Sequence, residues 1–482
     1  MTEVVPAVDG LFNAFAEAPV GSPEWWLRRL HQQIADRIPT LEVFDAYYAG
    51  DHPLPWLPRQ AHQEFRRILQ MTRSNFCGLV VDATAERLQV EGFRLPGEKE
   101  ADQDTWRLWQ YNNLDDDADK AILEALIGGT AYTLVEPNGD TPNIYVEHAS
   151  QAVVEYQPGS NRRRKAAGLK LWVDDWTGRL NATLFLPDWV YKFETDLPRS
   201  GTNDVAKRVE WRPRLVRNEN WPARNTLGEV PLTELPNNPR LRTGGVSELD
   251  DVIDIQDRIN KTIADRLITQ DFGAFPQKWA TGYPDEDKNG NPAQPIDVGR
   301  DRIVTTDVSK TDAAFGQWDS APLDPYNAAK REDVKDIASR TRTPAQYLLG
   351  EMSNVNGETL KASESGLVAK VRQRQRPFEG GLVQTMILAR KAAGLPVPDA
   401  RMSAIWRNPE FRTEGETTDA GIKQYSSGLR DLRSAREFVG ISQTEIADIE
   451  AREASMDPVA AQIARQFQAG VGMTDAAAAG NS

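Results

Sequence analysis

The segment that begins at Asp285 comes nearest to a metal site in this sequence. Asp285, Asp287, Asn289 and Gly290 have the spacing that opens a calcium loop of the EF-hand type. The twelfth position of such a loop needs a bidentate Glu, but here it is Ile296, and prolines interrupt the segment. We therefore expect an acidic, solvated turn rather than a calcium site.

The run from Asp115 to Asp119 is a second candidate for metal binding. It follows Leu114 and precedes the apolar residues Ile122 and Leu126. Carboxylates are favourable in the first turn of a helix, where the dipole presents its positive end. The pattern therefore favours a helix start over a metal site.

Phosphate chemistry is suggested by a basic run in the connection between two predicted strands: Arg162, Arg163, Arg164 and Lys165. These side chains could contact phosphate, and a charged hairpin loop is the ordinary alternative. The sequence contains neither a P-loop nor a dinucleotide-binding glycine motif. Any ATP-driven work would therefore belong to a partner.

The histidines give little support to catalysis. His31, His52, His62 and His148 are scattered, with no spacing typical of metal ligands or of a nucleophile and its base. We therefore expect no catalytic residue, no metal, no cofactor and no enzymatic activity. A nucleic-acid-processing enzyme, a rival class, would need a carboxylate or phosphate-binding constellation that we do not find.

Composition excludes further classes. A chain of 482 residues can bury a sizeable core, and its single cysteine, Cys77, excludes a disulfide framework and fits a reducing cytoplasm. The N-terminus lacks a basic leader, and no apolar run approaches the roughly 18 residues of a membrane span. We therefore expect a protein that is neither secreted nor membrane-spanning. The net charge of −14 argues against a protein that binds DNA through its overall electrostatic field.

The elements that position these residues begin with helices. Ser22, Pro23 and Glu24 predict a helix start, and a second helix bearing Phe44 is expected to end before Gly50. After a proline-rich loop we expect further helix to about residue 88.

Alternating patterns between residues 130 and 194 then predict an antiparallel meander. Its expected strands are Tyr132–Val135, Asn143–Val146, Ala152–Tyr156, Gly168–Val173, Ala182–Phe185 and Val190–Phe193. We expect Leu197–Pro239 to be an irregular connection.

Two helices with a turn-rich segment between them form the best-defined part of the pattern. Apolar residues recur at helical spacing behind Ser247, a candidate N-cap, and predict a helix over Ser247–Gln270, roughly 36 Å long. A second helix is expected over Tyr326–Arg342. Between them, proline and glycine turns and a candidate strand at Arg302–Thr306 predict a small β-rich tip.

The second helix is polar nearly all round, with only Val334, Ile337 and alanines as apolar anchors. Such a helix is rarely buried in the core of a monomer. It suggests mixed-charge packing against copies of itself or a wall that faces water. An exposed surface helix with local ion pairs is the alternative.

A short polar loop, Gly350–Asn356, is expected to be mobile, whether it only links two helices or has a function of its own. A long basic helix follows, and Pro377 is expected to kink or break it. We expect some of its cations to form ion pairs between subunits and only some to meet phosphate: Lys361, Lys370, Arg372, Arg374 and Arg376. The C-terminal part is expected to be helical, with a capping box that starts at Ser442 and a helix start at Asp457.

Several of these segments together resemble the portal proteins of tailed bacteriophages. The segments are Asn75–Phe76, Val80–Leu88, Val90–Arg94, Gly128–Tyr132, Gly244–Leu249, Asn260–Thr262, Arg342–Gly350 and Asn356–Lys361. The sequence is most similar to the branch found in phages of actinobacteria, which is similar to the SPP1-type portal family of Bacillus phages. The likeness weakens before Ser22 and after about Gly415.

The resemblance implies an α+β subunit of a ring, usually of twelve copies, with DNA passing along its axis. Its implied parts are a mixed α/β wing containing the meander (1–240 and 357–428), a helical-hairpin stem (241–273 and 325–348), a β-rich clip (274–324), a tunnel loop (349–356), a helical crown (429–469) and a disordered tail (470–482).

Residue roles follow from the same resemblance. The tunnel loop would meet DNA through Glu351, Met352, Ser353, Asn354, Val355 and Asn356. The stem would present Asp254, Asp257, Lys261, Lys330, Arg331 and Lys335. The clip would dock partners through Lys278, Trp279, Tyr283, Arg300 and Arg302.

The implied partners are further copies of the chain, double-stranded viral DNA, the terminase large subunit, the major capsid protein and scaffold, and head-tail adaptor proteins. The implied location is the portal vertex of the virion, with assembly in the host cytoplasm. Another head structural protein, such as a minor head protein, is the alternative; it would lack the hairpin of helices with its following loop and helix.

Overall fold

The computed structural model describes residues 18–57, 65–98, 100–159, 164–195, 210–241, 243–274, 278–281, 314–317, 319, 321–350, 357–410 and 414–455. Over these ranges, helices accompany antiparallel sheets, which confirms the α+β prediction. None of the described helices is long and apolar enough to cross a membrane.

The helices are α1 Pro23–Tyr48, α2 Arg66–Gln70, α3 Phe76–Ala85, α4 Gln103–Tyr111, α5 Leu114–Gly128, α6 Ile253–Ala274, α7 Asp324–Thr341, α8 Ala345–Leu349, α9 Gly357–Ala392, α10 Glu414–Ser426, α11 Leu432–Val439 and α12 Gln443–Ser455. The strands are β1 Val90–Arg94, β2 Thr130–Glu136, β3 Asn143–Glu147, β4 Ala152–Tyr156, β5 Lys165–Asp174, β6 Arg179–Phe185, β7 Trp189–Thr195, β8 Trp211–Pro213, β9 Ala223–Arg224, β10 Leu232–Pro236, β11 Lys278–Thr281, β12 Ala314–Gln317 and β13 Ser403–Trp406.

Helix α1 begins where the sequence predicts. The Ser22 side chain accepts a hydrogen bond from the backbone N–H of Trp25 (3.2 Å), and Pro23 is the first helical residue. The prediction of two helices before Gly50 is wrong, because α1 continues through Pro39 to Tyr48. Its apolar face is buried on both sides of that proline, and this burial offsets the hydrogen bond that a proline removes.

The predicted strands form, but in two sheets rather than one meander. Strands β10, β2 and β3 make a three-stranded sheet, and β4 to β8 make a second sheet in which β9 pairs with β7. The segment 197–239 is therefore not wholly irregular, because it supplies β8, β9 and β10. These strands have two to five residues, too few for an alternating pattern to stand out.

Helix α6 begins later than predicted. The Ser247 hydroxyl accepts a hydrogen bond from the N–H of Leu249 (3.0 Å), but the backbone then makes turns, and the helix starts at Ile253. Helix α7 lies close to its predicted bounds and ends at Thr341, followed by Arg342 as the C-cap with a φ of 55°. Helices α6 and α7 pack together, and Ile259, Ile263, Val334 and Ile337 are buried in the main hydrophobic core.

The long helix α9 crosses the molecule and packs on β10 and β2. It continues through Pro377 to Ala392, so of the two predicted effects, a kink or a break, the break is wrong. Phe378, Leu382 and Met386 just beyond the proline are buried, which holds the helix in place. Strand β13 then returns to pair with β1, so the C-terminal part completes a sheet begun near residue 90.

The C-terminal part is helical as predicted, and α12 starts at the predicted capping box. Asp431 accepts a hydrogen bond from the N–H of Ser434 at the start of α11, and Ser442 accepts one from Glu445 at the start of α12. The predicted helix start at Asp457 and the tail lie outside the described residues.

We predict opposite effects for two adjacent glycine substitutions in α9. A Cβ at Gly381 would lie 2.4 Å from Leu235 Cδ2 and 2.7 Å from Glu234 O, whereas a Cβ at Gly380 would meet nothing within 4 Å. Gly381→Ala should lower the free energy of unfolding by about 1–3 kcal/mol. Gly380→Ala should raise it by up to about 1 kcal/mol because alanine favours helix. Denaturant unfolding of both variants measures this, and shifts of the same sign would contradict the packing of α9 on β10.

Candidate functional site

Many of the predicted contact residues lie outside the described part of the chain. These are the loop residues Glu351, Met352, Ser353, Asn354, Val355 and Asn356, the tip residues Tyr283, Arg300 and Arg302, the strand Arg302–Thr306, the acidic turn Asp285 to Gly290, and the basic residues Arg162 and Arg163. Of the tip, the structure describes two strands. Lys278 and Trp279 belong to β11, opposite Gln317 and Gly316 of β12.

Helices α6 and α7 are joined by charged contacts as well as by their apolar faces. The Arg258 guanidinium lies 2.8 Å from carboxylate oxygens of both Asp333 and Asp336. Arg266 donates a hydrogen bond to the side chain of Asn327 (3.0 Å). These contacts tie the two helices together along their length.

The predicted polar residues of this pair are distributed rather than gathered at one site. Asp257 accepts a hydrogen bond from the Tyr47 hydroxyl (2.7 Å); burial raises the pKa of Tyr47, and this hydrogen bond raises it further. Lys261 pairs with Asp265, and Lys335 with Glu332. Asp254 and Arg331 are exposed, and Lys330 lies over the Phe76 ring. Local ion pairs, the alternative weighed for the polar helix, therefore occupy several of these side chains.

The charge of this helix pair differs from that of the whole chain. Helices α6 and α7 together contain eight acidic and seven basic residues. The formal net charge of the chain is −14. The acidic surplus therefore resides elsewhere, and the helix pair is close to neutral.

A buried carboxylate joins the start of this helix pair to α9. Glu248 lies 2.9 Å from Lys370 Nζ and 2.6 Å from Arg374 Nε, and all three side chains are buried. Asn237, just after β10, donates a second hydrogen bond to the same carboxylate (3.0 Å). Burial alone would raise the pKa of Glu248, but the two cations outweigh it and lower the pKa to about 2. Glu248 therefore remains ionised throughout the physiological range.

Two glycine segments approach each other close to Glu248 in the chain. A Cβ at Gly245 would lie 1.8 Å from the carbonyl oxygen of Gly129, and Gly129 has a φ of 86°. The N–H of Glu248 donates to Leu126 O (2.9 Å), and that of Asn237 donates to Gly129 O (2.9 Å). The segments Gly128–Tyr132 and Gly244–Leu249, recognised separately in the sequence, thus form one junction in space.

The basic residues of α9 find partners within the chain. Lys370 and Arg374 pair with Glu248, and Arg372 pairs with Glu410 (2.5 Å). Arg376 is exposed and forms no ion pair with a described residue. We expected some of these cations to form ion pairs between subunits. Lys370, Arg372 and Arg374 instead form ion pairs with Glu248 or Glu410 of the same chain. The side chain of Lys361 is outside the described part.

Three potential metal ligands come together in a way that sequence spacing could not indicate. Ligand atoms of Asp45, Glu124 and His148 lie within 4.8 Å of one another. Burial raises the pKa of both carboxyls, while His148 acts in the opposite direction. His148 Nδ1 accepts from the N–H of Ser150 (3.2 Å), so the neutral ring carries its proton on Nε2, 3.5 Å from Glu124. A hydrogen-bonded pair fits this arrangement better than a metal, which would need the lone pair of Nε2.

His52 belongs to a polar network that fixes α6 against α3. Its ring contacts the Asn260 side chain (3.0 Å), and Gln256 accepts from the N–H of Phe76 (3.0 Å). These groups are buried, and burial lowers the pKa of His52. The segment Asn260–Thr262, noted in the sequence, therefore supplies hydrogen bonds and an ion pair within the fold.

Comparison with known proteins gives one matching family and several similar proteins. The sequence model of the family described as phage portal protein, SPP1 Gp6-like, matches residues 27–458. The portal protein of Mycobacterium phage D29 is 29% identical over 388 residues, which cover 76% of this chain and 76% of that protein. The portal protein of Mycobacterium phage L5 is 28% identical over 370 residues, 73% of this chain and 72% of that protein.

Among solved structures, a chain from the neck of an empty GTA particle computed with C6 symmetry aligns with a TM-score of 0.41 and 13% identity. The alignment covers 80% of this chain and 95% of that one. A chain from the neck of a native GTA particle computed with C12 symmetry aligns with a TM-score of 0.39 and 12% identity.

We predict that Glu248→Gln will destabilise the fold strongly at neutral pH. The substitution keeps the side-chain shape but leaves Lys370 and Arg374 buried without a countercharge, which should cost about 3–5 kcal/mol. Glu332→Gln, which breaks the exposed pair with Lys335, is the matched control and should cost at most about 1 kcal/mol.

The effect should depend on pH in one direction. Because the folded pKa of Glu248 is about 2, below the ordinary 4.5, its contribution is present above pH 4.5 and is lost as the pH falls towards 2. The difference in unfolding free energy between wild type and Glu248→Gln should therefore shrink below pH 4.5. A difference that stays constant would show that Glu248 is not the ionised partner.

Proposed function

This chain belongs to the SPP1 Gp6-like family of phage portal proteins, and we propose that twelve copies form a ring at one vertex of the capsid. The observation that carries the proposal is the family match over residues 27–458, which includes every element from α6 to α9. The resemblance noted in the sequence is thereby confirmed. Portal proteins are structural, which agrees with the expectation that the chain is not an enzyme.

We propose that double-stranded DNA passes along the axis of this ring during packaging and ejection. In this proposal α6 and α7 are the stem that lines the channel, and α6 with its 22 residues spans roughly 33 Å. Attraction between a wall and DNA requires cations that are free to replace counterions at phosphates. Arg258, Lys261 and Lys335 are instead paired with carboxylates in the same two helices. Such a wall would hold DNA only weakly, as a conduit requires.

The remaining assignments extend the same proposal. Residues 274–324 would be the clip, where the terminase large subunit docks during packaging and head-tail adaptor proteins dock later, and residues 349–356 the tunnel loop that touches DNA. The wing would contact the major capsid protein and scaffold, and residues 429–469 would be the crown. Assembly would take place in the host cytoplasm, and the mature location would be the virion.

We predict that the purified protein forms radially symmetric rings with an axial hole. Single-particle imaging with mass determination should give a mass of twelve chains of 53.8 kDa. A different ring size would correct only the subunit number. A monomer that persists at high concentration and with scaffold present would overturn the proposal and favour a minor head protein.

We predict that shortening the segment Glu351–Asn356 leaves ring assembly intact but impairs packaging or genome retention. The reason is that a tunnel loop touches DNA without holding subunits together. Replacement of the same six residues by glycine and serine, at unchanged length, is the control. It separates the effect of the length of the loop from the effect of its side chains. Imaging of the rings measures assembly, and the amount of DNA per particle measures packaging. Normal packaging in the shortened variant would contradict the assignment of this segment as the tunnel loop.

A further inference from the structure

A polar cleft of about 230 Å³ lies where the entry to α6, the end of α7 and the middle of α9 meet. Its basic lining comes from three separate segments: Arg240, Arg340, Arg342, Lys370 and Arg374. We propose that this cleft binds a phosphate-type oxyanion. The proposal does not depend on ring formation or on the channel.

Three of these cations have no carboxylate partner among the described residues. Among the described residues, no ion pair joins a carboxylate to Arg240, Arg340 or Arg342, and Arg340 Nη1 donates a hydrogen bond to the carbonyl oxygen of Asp251 (3.5 Å). All three side chains are exposed at the mouth of the cleft. Guanidinium groups present paired N–H donors that match the oxygens of a phosphate.

Lys370 supplies a positive charge at the buried side of the cleft. Its residue is 3% exposed, and one of its three N–H donors is taken up by Glu248 Oε2, which lies 2.9 Å from Nζ. The ammonium group therefore retains donors for another acceptor. Burial lowers the pKa of Lys370, and the positive charges of Arg374 and Arg342 lower it further, against the attraction of Glu248. An anion in the cleft would offset this excess of positive charge.

The carboxylates around the cleft do not cancel its charge. Glu248 is shared between Lys370 and Arg374, while Asp250 and Asp251 are exposed. Five cations against three carboxylates leave a positive surplus, which suits a small multivalent anion. The other role open to Arg340 and Arg342 is to interact with the negative end of the α7 dipole, which would need no ligand.

The test is titration of the full-length protein with inorganic phosphate, measured by calorimetry against sodium chloride at matched ionic strength. We expect saturable binding by the wild type. The double variant Arg240→Gln with Arg342→Gln should bind at least about a hundredfold more weakly, since each of the two lost charged hydrogen bonds is worth at least about one factor of ten. Arg376→Gln is the matched control, because Arg376 is an exposed arginine of α9 that does not line the cleft.

Each outcome decides the proposal. No phosphate binding above chloride, or equal affinity in the double variant and the wild type, would overturn it. A double variant that melts at a lower temperature yet binds phosphate normally would assign the arginines to the α7 helix end and also overturn it. If binding is confirmed, a short DNA duplex added as competitor identifies the source of the oxyanion. Displacement of phosphate assigns the site to the nucleic-acid backbone, and no displacement assigns it to free phosphate.

Discussion

The pairing of one buried carboxylate with two buried cations is the interaction on which the central part of this structure depends. An ionised side chain removed from water is costly unless it is matched by opposite charge and hydrogen bonds. Glu248 meets Lys370 and Arg374 from α9 and Asn237 from the end of β10. The position of α9 relative to the entry of α6 is therefore set by charge as well as by apolar packing.

Close backbone packing makes this arrangement possible. Glu248 can reach α9 only because the chain at Gly245 passes against Gly129, where no side chain would fit. Gly129 also forms the turn between α5 and β2. The contact between Gly129 and Gly245 therefore ties together the three-stranded sheet, helix α9 and the start of the α6–α7 pair. Substitutions at this point should affect all three, whereas the exposed ion pairs of α6 and α7 are separable from them.

Local signals predicted the elements that are determined locally. The caps at Ser22 and Ser442 and the acidic first turn of α5 lie where the sequence places them, because a cap needs only neighbouring residues. The late start of α6 was missed because Ser247 has the features of an N-cap, while the distant contact between Gly245 and Gly129 fixes the backbone before it. The pairing of β1 with β13, the partners of Glu248 and the group around His148 depend on residues far apart in sequence, and no spacing rule indicates them. The proposed DNA-contacting and docking residues lie largely outside the described ranges, so they stay predictions.

Charge distribution connects the fold to the proposed channel. A net charge of −14 argued against binding DNA through the overall field of the chain, and the helices proposed to line the channel are nearly neutral, with Arg258 and Lys261 paired to carboxylates of the same two helices. Weak interaction with DNA would then arise from mutual neutralisation along the stem rather than from repulsion. Paired charges remain fixed in place, whereas a surplus of either sign in every subunit would repel its symmetry copies around a ring. A nearly neutral stem therefore serves both requirements: copies can pack side by side, and the paired cations Arg258, Lys261 and Lys335 are not available to retain the DNA.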